Sequence, residues 1–344
     1  MSIQSVLNTV LPHYTLGATI EQIEPIRSPL AFSGAELWRI RTALGDYLLR
    51  RWPEETDPSR IAAIHRVLRF VAPQLPGLIA PPLSAQGGST AIHAAQTWWS
   101  LSPWLSGSSP EQSPVSEKKI ENASRALAKF HRVAKDYPAD GYFPAASLGI
   151  APGLQQRLLR LRQLPELVPR LVAAKAHPKY NSLNELRFEI VQHCTALANP
   201  LWAELQGLAS LTVPLQLCLR DVWRAHVLYE DDEVTGLIDY DALRIDSVAA
   251  DISRLLGSLA GDEMNLWQAG LVAYAAERPL SEYERNTIIA YDRSAVLLTG
   301  LQWLEWIYLD NREFSHPQAV EERVLESLNR LRRLHRAGDL RTWV

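Results

Sequence analysis

The spacing of apolar residues changes twice along the chain. Ile3, Val6, Leu7 and Val10 recur at helical intervals and predict a short helix within residues 1–15. From Thr19 to Trp52 the interval drops to two residues. Thr19–Ile23, Ala35–Thr42 and Asp46–Trp52 each predict a strand, and the turn Ala43-Leu44-Gly45-Asp46 joins the last two as a hairpin. Asp57-Pro58 then reads as N-cap and first-turn proline of a helix, with Ile61, Ile64, Val67, Leu68 and Val71 as its buried stripe. Two strands follow, around Thr90–Ile92 and Thr97–Leu101, and Ser106-Gly107-Ser108-Ser109-Pro110 forms a turn-rich connector.

Beyond the connector the helical interval returns. Ile120, Ala123, Leu127, Phe130 and Ala134 make one stripe. Leu297, Leu301, Leu304 and Tyr308 make another, and Val324, Leu328, Leu331 and Leu334 a third. Residues 213–240 interrupt this pattern. A hydrophobic run from Val213 to Leu219 leads into a loop at Asp221. Two short strands, Val227–Tyr229 and Val234–Ile238, follow, joined by Glu230-Asp231-Asp232-Glu233. The order is a strand-rich lobe (1–105), then a mainly helical lobe (106–344), an α+β architecture with a small antiparallel sheet.

Composition narrows the function. A chain of 344 residues suits two lobes, and 47% hydrophobic with 21% charged residues is ordinary for a soluble globular protein. A net charge of −3 supplies no basic face for nucleic acid. No apolar run approaches the roughly 20 residues that a membrane span requires. Met1-Ser2-Ile3-Gln4 carries no signal-peptide features, and the two cysteines, Cys194 and Cys218, lack metal-type spacing, so the expected compartment is the cytoplasm. The eleven tryptophans fit large core residues or an aromatic-lined pocket.

The chemistry-bearing residues cluster after the hydrophobic run. Leu219-Arg220-Asp221 is followed by His226 five residues after the aspartate, and Ile238-Asp239-Tyr240-Asp241 closes the hairpin. Asp246 and Ala250-Asp251-Ile252-Ser253-Arg254-Leu255 come next, and Ala126-Leu127-Ala128-Lys129-Phe130-His131 lies well upstream. In order and spacing, residues 15–335 resemble the aminoglycoside phosphotransferase and choline kinase superfamily, which has the two-lobed protein-kinase-like fold. The usual loop of that family reads His-Gly-Asp-x-x-x-x-Asn. Here Leu219-Arg220-Asp221 stands for His-Gly-Asp, and His226 stands for Asn.

The resemblance implies a nucleotide-binding N-terminal lobe, a catalytic C-terminal lobe, and transfer of the ATP γ-phosphate to a hydroxyl of a small molecule. Asp221 would take the hydroxyl proton, and Asp239 would bind a divalent metal at the nucleotide phosphates. His226 would offer that metal an imidazole nitrogen, which Mg²⁺ binds poorly and Mn²⁺ accepts. Three alternatives follow: a manganese-preferring kinase, a kinase using Asp239 and water, or a kinase-like protein that has lost transfer and binds a nucleotide or partner. On the nucleotide side the resemblance places Arg50 where the family has its phosphate-gripping lysine, with Arg51 as the fallback. It places Gly34 in the phosphate-covering turn Ser33–Glu36, and Ser102 and Trp104 at the interlobe hinge. The helix after Asp57 has no acid between Ser59 and Ala72 to hold Arg50, which leaves Glu54 or Glu55 as substitutes. Arg220 is expected to pair with an acidic neighbour. Trp223, Arg224, Asp241, Trp303 and Trp306 are the foremost substrate candidates, with Arg244, Trp267 and Glu305 behind them. Tryptophans with carboxylates would suit a cationic amine, and the arginines an anionic acceptor.

Overall fold

A computed structural model of the chain describes residues 3–26, 34–110, 114–314 and 316–337. The strand-rich part is an antiparallel sheet of β1 (Ile20–Ile26), β2 (Glu36–Thr42), β3 (Gly45–Arg51), β4 (Ile92–Ala94) and β5 (Thr97–Pro103), in the order β1-β2-β3-β5-β4. β2 and β3 form the expected hairpin. β4 lies slightly later in the chain than its apolar pattern suggested, where Ile92 can pair with Trp99.

Alternation sorts the two faces of this sheet. Trp38, Ile40, Leu49, Trp99 and Leu101 point to one side, where Leu7, Val10, Leu11 and Tyr14 complete a small core. α1 (Ile3–Val10) therefore serves as a lid on that face. The other face is set by register. Leu37 pairs with Arg50 and Arg50 with Ser100, while Leu48 pairs with Ser102. All five line one deep cavity.

α2 (Pro58–Val71) starts as expected: the Asp57 side chain accepts from Ser59 N–H at 2.9 Å, and Pro58 fills the first turn. Its stripe, Ile61 to Val71, is buried against the larger core.

The helical part contains α3 (Glu117–Ala134), α4 (Pro152–Arg162), α5 (Leu164–Ala173), α6 (Asn181–Ala209), α7 (Ala249–Leu259), α8 (Met264–Glu277), α9 (Glu282–Tyr308) and α10 (Pro317–Arg336). The three apolar stripes anticipated on α3, α9 and α10 are buried in one core. α9 opens with a capping box between Ser281 and Glu284. Among the helices run β6 (Ser147–Gly149), β7 (Val213–Cys218), β8 (Val227–Glu230), β9 (Glu233–Leu237) and β10 (Arg244–Asp246). β7 is the centre of a sheet ordered β10-β7-β6, and β8-β9 is a separate hairpin. The connector after β5 passes this hairpin closely. Gly107 sits at φ +93°, and a Cβ there would fall 2.7 Å from the Tyr229 carbonyl oxygen. No helix among the described residues is long and apolar enough to cross a membrane.

Candidate active site

The loop between β7 and β8 is fastened from beneath by Asp251, at the start of α7. The buried Asp251 carboxylate accepts Leu219 N–H at 2.6 Å and Arg220 N–H at 2.7 Å. Its third partner is His131 Nε2 at 3.0 Å, on α3. The other nitrogen of His131 meets the Tyr274 hydroxyl at 2.7 Å, and burial lowers the pKa of this histidine. A neutral ring, which burial favours, donates from Nε2 to the carboxylate and accepts a hydrogen bond from the Tyr274 hydroxyl at Nδ1. Asp251 is thus the loop's backbone anchor.

Arg220 occupies the left-handed region at φ +68°, and Asp239 does so at φ +62°. Only glycine adopts this conformation without strain, which costs other residues about 1 kcal/mol or more. The family's glycine at position 220 has its physical reason here. The arginine found instead pairs with the buried Asp246, as expected, and reaches Gln156 at 3.3 Å.

Asp221, His226 and Asp239 meet at the cavity. Trp223 Nε1–H donates to His226 Nε2 at 3.2 Å, so that nitrogen carries a lone pair. Nδ1 carries the proton and donates to the Asp221 carbonyl at 2.6 Å. The imidazole stands between the two carboxylates, with Nδ1 3.8 Å from Asp221 Oδ2 and Nε2 3.6 Å from Asp239 Oδ2. The free oxygen of Asp221 accepts from Arg254 at 3.0 Å.

On the sheet side, Arg50 donates to Asp241 and lies 3.9 Å from Asp239 Oδ1, its guanidinium stacked 4.2 Å from the Trp52 ring centre. Glu54 does not take the role suggested by the sequence. It pairs with Arg51 at 3.1 Å on the opposite face, as does Glu36. α2 contributes a cation instead of an acid: Arg60 donates to the carbonyls of Asp241 at 2.7 Å and Leu243 at 2.5 Å. Burial raises the Asp241 pKa and the neighbouring Asp239 charge adds to this, while Arg50 opposes both. His65, also on α2 and lining the cavity, is pushed down to about 4 by burial and by the Arg50 charge.

The cavity encloses about 1070 Å³ between the sheet and the helices. Ser102 and Trp104 lie on its wall, together with Ala35 and Leu37 beyond Gly34, which sits at φ +71°. Ser33 falls outside the described residues. Pro103 has no N–H, and Trp104 N–H is bonded to the Asp46 carbonyl at 2.9 Å. The next backbone donor along the wall is Leu105. Trp223, Arg224, Asp241, Trp303 and Trp306 all border the cavity. Trp303 and Trp306 pack edge to face with ring centres 5.1 Å apart. Arg244, Trp267 and Glu305 do not reach it. Arg244 is exposed on β10, Trp267 Nε1–H donates to the Gly261 carbonyl at 2.9 Å, and Glu305 pairs with Arg160. Arg254 and Arg323 were not singled out in the sequence, although both face the cavity. Arg254 had a visible signal, lying one turn beyond Asp251; Arg323 had none.

The model of the phosphotransferase enzyme family matches residues 28–297. The chain belongs to this family. An aminoglycoside phosphotransferase from Alicyclobacillus acidocaldarius is 14% identical with a TM-score of 0.65, over 99% of this chain and 96% of that one. A spectinomycin phosphotransferase solved with ADP and spectinomycin is 12% identical with a TM-score of 0.66, over 97% and 94%. An amicoumacin kinase solved with AMP-PNP and Ca²⁺ is 13% identical with a TM-score of 0.66, over 96% and 94%. These similarities establish the protein-kinase-like fold. No curated protein sequence matches the chain.

Proposed function

We propose that this family member transfers the γ-phosphoryl group of ATP to a hydroxyl of a small molecule. The observation that carries the reading is the convergence of Asp221, His226 and Asp239 on one cavity between sheet and helices. Phosphoryl transfer requires positioning and charge neutralisation more than covalent chemistry. Asp221 accepts the proton of the attacking hydroxyl once Arg254 turns aside. Arg50, on β3 and lining the cavity, would meet the phosphates, and the backbone of Pro103 and Leu105, also on its wall, would offer a carbonyl and an N–H to the purine.

Asp239 Oδ2 and His226 Nε2 lie 3.6 Å apart, close enough to share one divalent cation, and the imidazole tautomer supplies the lone pair. The donor set fits Mn²⁺ better than Mg²⁺, because nitrogen is a poor ligand for the harder ion. When bound, the metal neutralises the phosphate oxygens. Trp223 loses its hydrogen bond to His226 in that state.

A second reading has its own observation. Arg50 lies 3.9 Å from Asp239 and pairs with Asp241, so a protein cation already offsets the charge that a metal would neutralise. In that reading the protein binds its ligands without transferring phosphate.

ADP release measured across hydroxyl acceptors, with Mg²⁺ and with Mn²⁺, decides between them. Asp221→Ala is expected to lower turnover by about 10²–10⁴-fold, the range for a positioned general base, with ATP affinity by calorimetry nearly unchanged. Undiminished turnover in the variant excludes Asp221 as the base. Nucleotide binding without ADP release from any acceptor selects the silent reading.

A further inference from the structure

The wall of the cavity around Trp223 is built of arginines. Arg323, on α10, lies with its guanidinium 4.3 Å from the Trp223 ring centre, and Arg254, on α7, lies 5.7 Å from it. Arg224, the residue after this tryptophan, is buried. These cations share few acids. Glu326 serves both Arg224 at 3.1 Å and Arg323 at 3.5 Å, and is itself half exposed. Arg254 has Asp221. Of the other acids of the cavity, Asp241 pairs with Arg50, Asp262 and Asp292 with Arg330, and Asp262 also with Arg333, while Asp239 stands beside His226 and Arg50. Glu263 lies exposed at the rim. Deeper in the helical part, Arg157 donates to Ser294 at 3.0 Å and to the Gly153 carbonyl at 3.3 Å, lies over the Tyr291 ring, and forms no ion pair among the described residues. Like charges so close must raise the local potential. The pKa of Arg323 is brought down to about 10 by burial and by Arg224 and Arg254.

We infer that the acceptor is an anion, a hydroxylated molecule carrying a carboxylate or phosphate that Arg323 and Arg254 receive beside Trp223. This rests on the phosphotransfer reading for the word acceptor, although the binding of the anion does not. Guanidinium groups match both oxyanions in geometry, and around Trp223 three arginines share two acids, Asp221 and Glu326, an excess of cation that disfavours an ammonium group there. The same contact explains how Asp221 becomes available. Arg254 holds its Oδ1. An incoming oxyanion competes for Arg254 and releases the carboxylate; a neutral or cationic molecule does not.

The test is calorimetric titration of two matched sets of probes into the full-length protein, with and without AMP-PNP. One set is glycerol, glycerate, glycerol phosphate and aminopropanediol. The other is glucose, gluconate, glucose 6-phosphate and glucosamine. In at least one set the carboxylate or the phosphate is expected to bind about tenfold or more tightly than its neutral and amine counterparts. Arg323→Gln abolishes that difference and Arg323→Lys restores part of it, in variants whose unfolding midpoints show them to be folded. The carboxylate and phosphate arms identify which oxyanion is used. Amines binding as tightly as anions, an unchanged preference in Arg323→Gln, or no binding of any anion overturns the inference. In the parallel ADP-release assay with ATP, anion binding without ADP release from any acceptor leaves the inference standing and removes the phosphotransfer reading. ADP release from amines alone does the reverse.

Discussion

Arg50 on β3 is held by Asp241, two residues beyond Asp239, and α2 supplies no acid to it. The sheet and the helical part are thereby tied through one segment, which Arg60 also grips by its backbone. Asp241→Ala and Arg50→Ala are each expected to cost about 2 kcal/mol, the range for a partly buried charged hydrogen bond. The double variant should cost less than the sum by about 1 kcal/mol or more, because each single change strands a charge that the double removes. Urea unfolding of the four proteins checks this; strict additivity shows that the pair contributes nothing.

The His226 tautomer leads to a prediction about metals. ATP is expected to bind about tenfold more tightly with Mn²⁺ than with Mg²⁺, and His226→Asn to shift the preference towards Mg²⁺. Calorimetry with each metal measures the ratio, and Mn²⁺ paramagnetic resonance in the wild type reports nitrogen ligation directly. Equal ratios in both proteins exclude the imidazole as a ligand.

His65 sets a pH dependence whose sign follows from its lowered value. Its folded pKa is about 4 against an ordinary 6.5, so between those pH values the unfolded chain binds more protons than the folded one. The stability from the neutral ring is complete above pH 6.5 and is lost as the pH falls towards 4. The loss amounts to roughly 3 kcal/mol at 1.36 kcal/mol per pH unit. Acidic carboxylates titrate in the same window, so the measurement is the difference between wild type and His65→Gln. The gap between their unfolding free energies should change across the window by about that amount; parallel curves refute the assignment.

Asp251→Asn places an amide where three donors converge, and at least one of Leu219 N–H, Arg220 N–H and His131 then faces another donor. A cost of about 3 kcal/mol is expected, as for a buried charged network that loses a partner. A variant as stable as wild type in urea would show that the loop is not held this way.

The sheet was legible because one face of each strand is apolar. Trp38, Ile40 and Leu49 belong to the small core with α1, whereas Arg39, Arg41 and Arg50 alternate with them, and a period of two survives in the sequence. β6 and β10 were invisible for the opposite reason. Each is three residues long and exists only as a partner of β7, far away in the chain for β6. Asp221, His226 and Asp239 were singled out through the family resemblance, whose spacing one loop and one hairpin preserve. The pairing of Arg50 could not be read, because a missing acid on α2 says nothing of a replacement some 190 residues later. Arg323 belongs to α10, whose apolar stripe marks only the face turned away from the cavity. Sequence periodicity identifies what is buried; which exposed residue of a helix meets a distant loop depends on packing.

The buried trio of His131, Asp251 and Tyr274 has a consequence for genetics. None of them lines the cavity, yet the loop bearing Asp221 rests on Asp251. In a screen for the proposed phosphotransfer, substitutions at these positions would score alongside changes in the proposed active site. Only an abundance measurement on the same library would separate a broken scaffold from broken chemistry, with the trio expected in the first group and Asp221, as the proposed base, in the second.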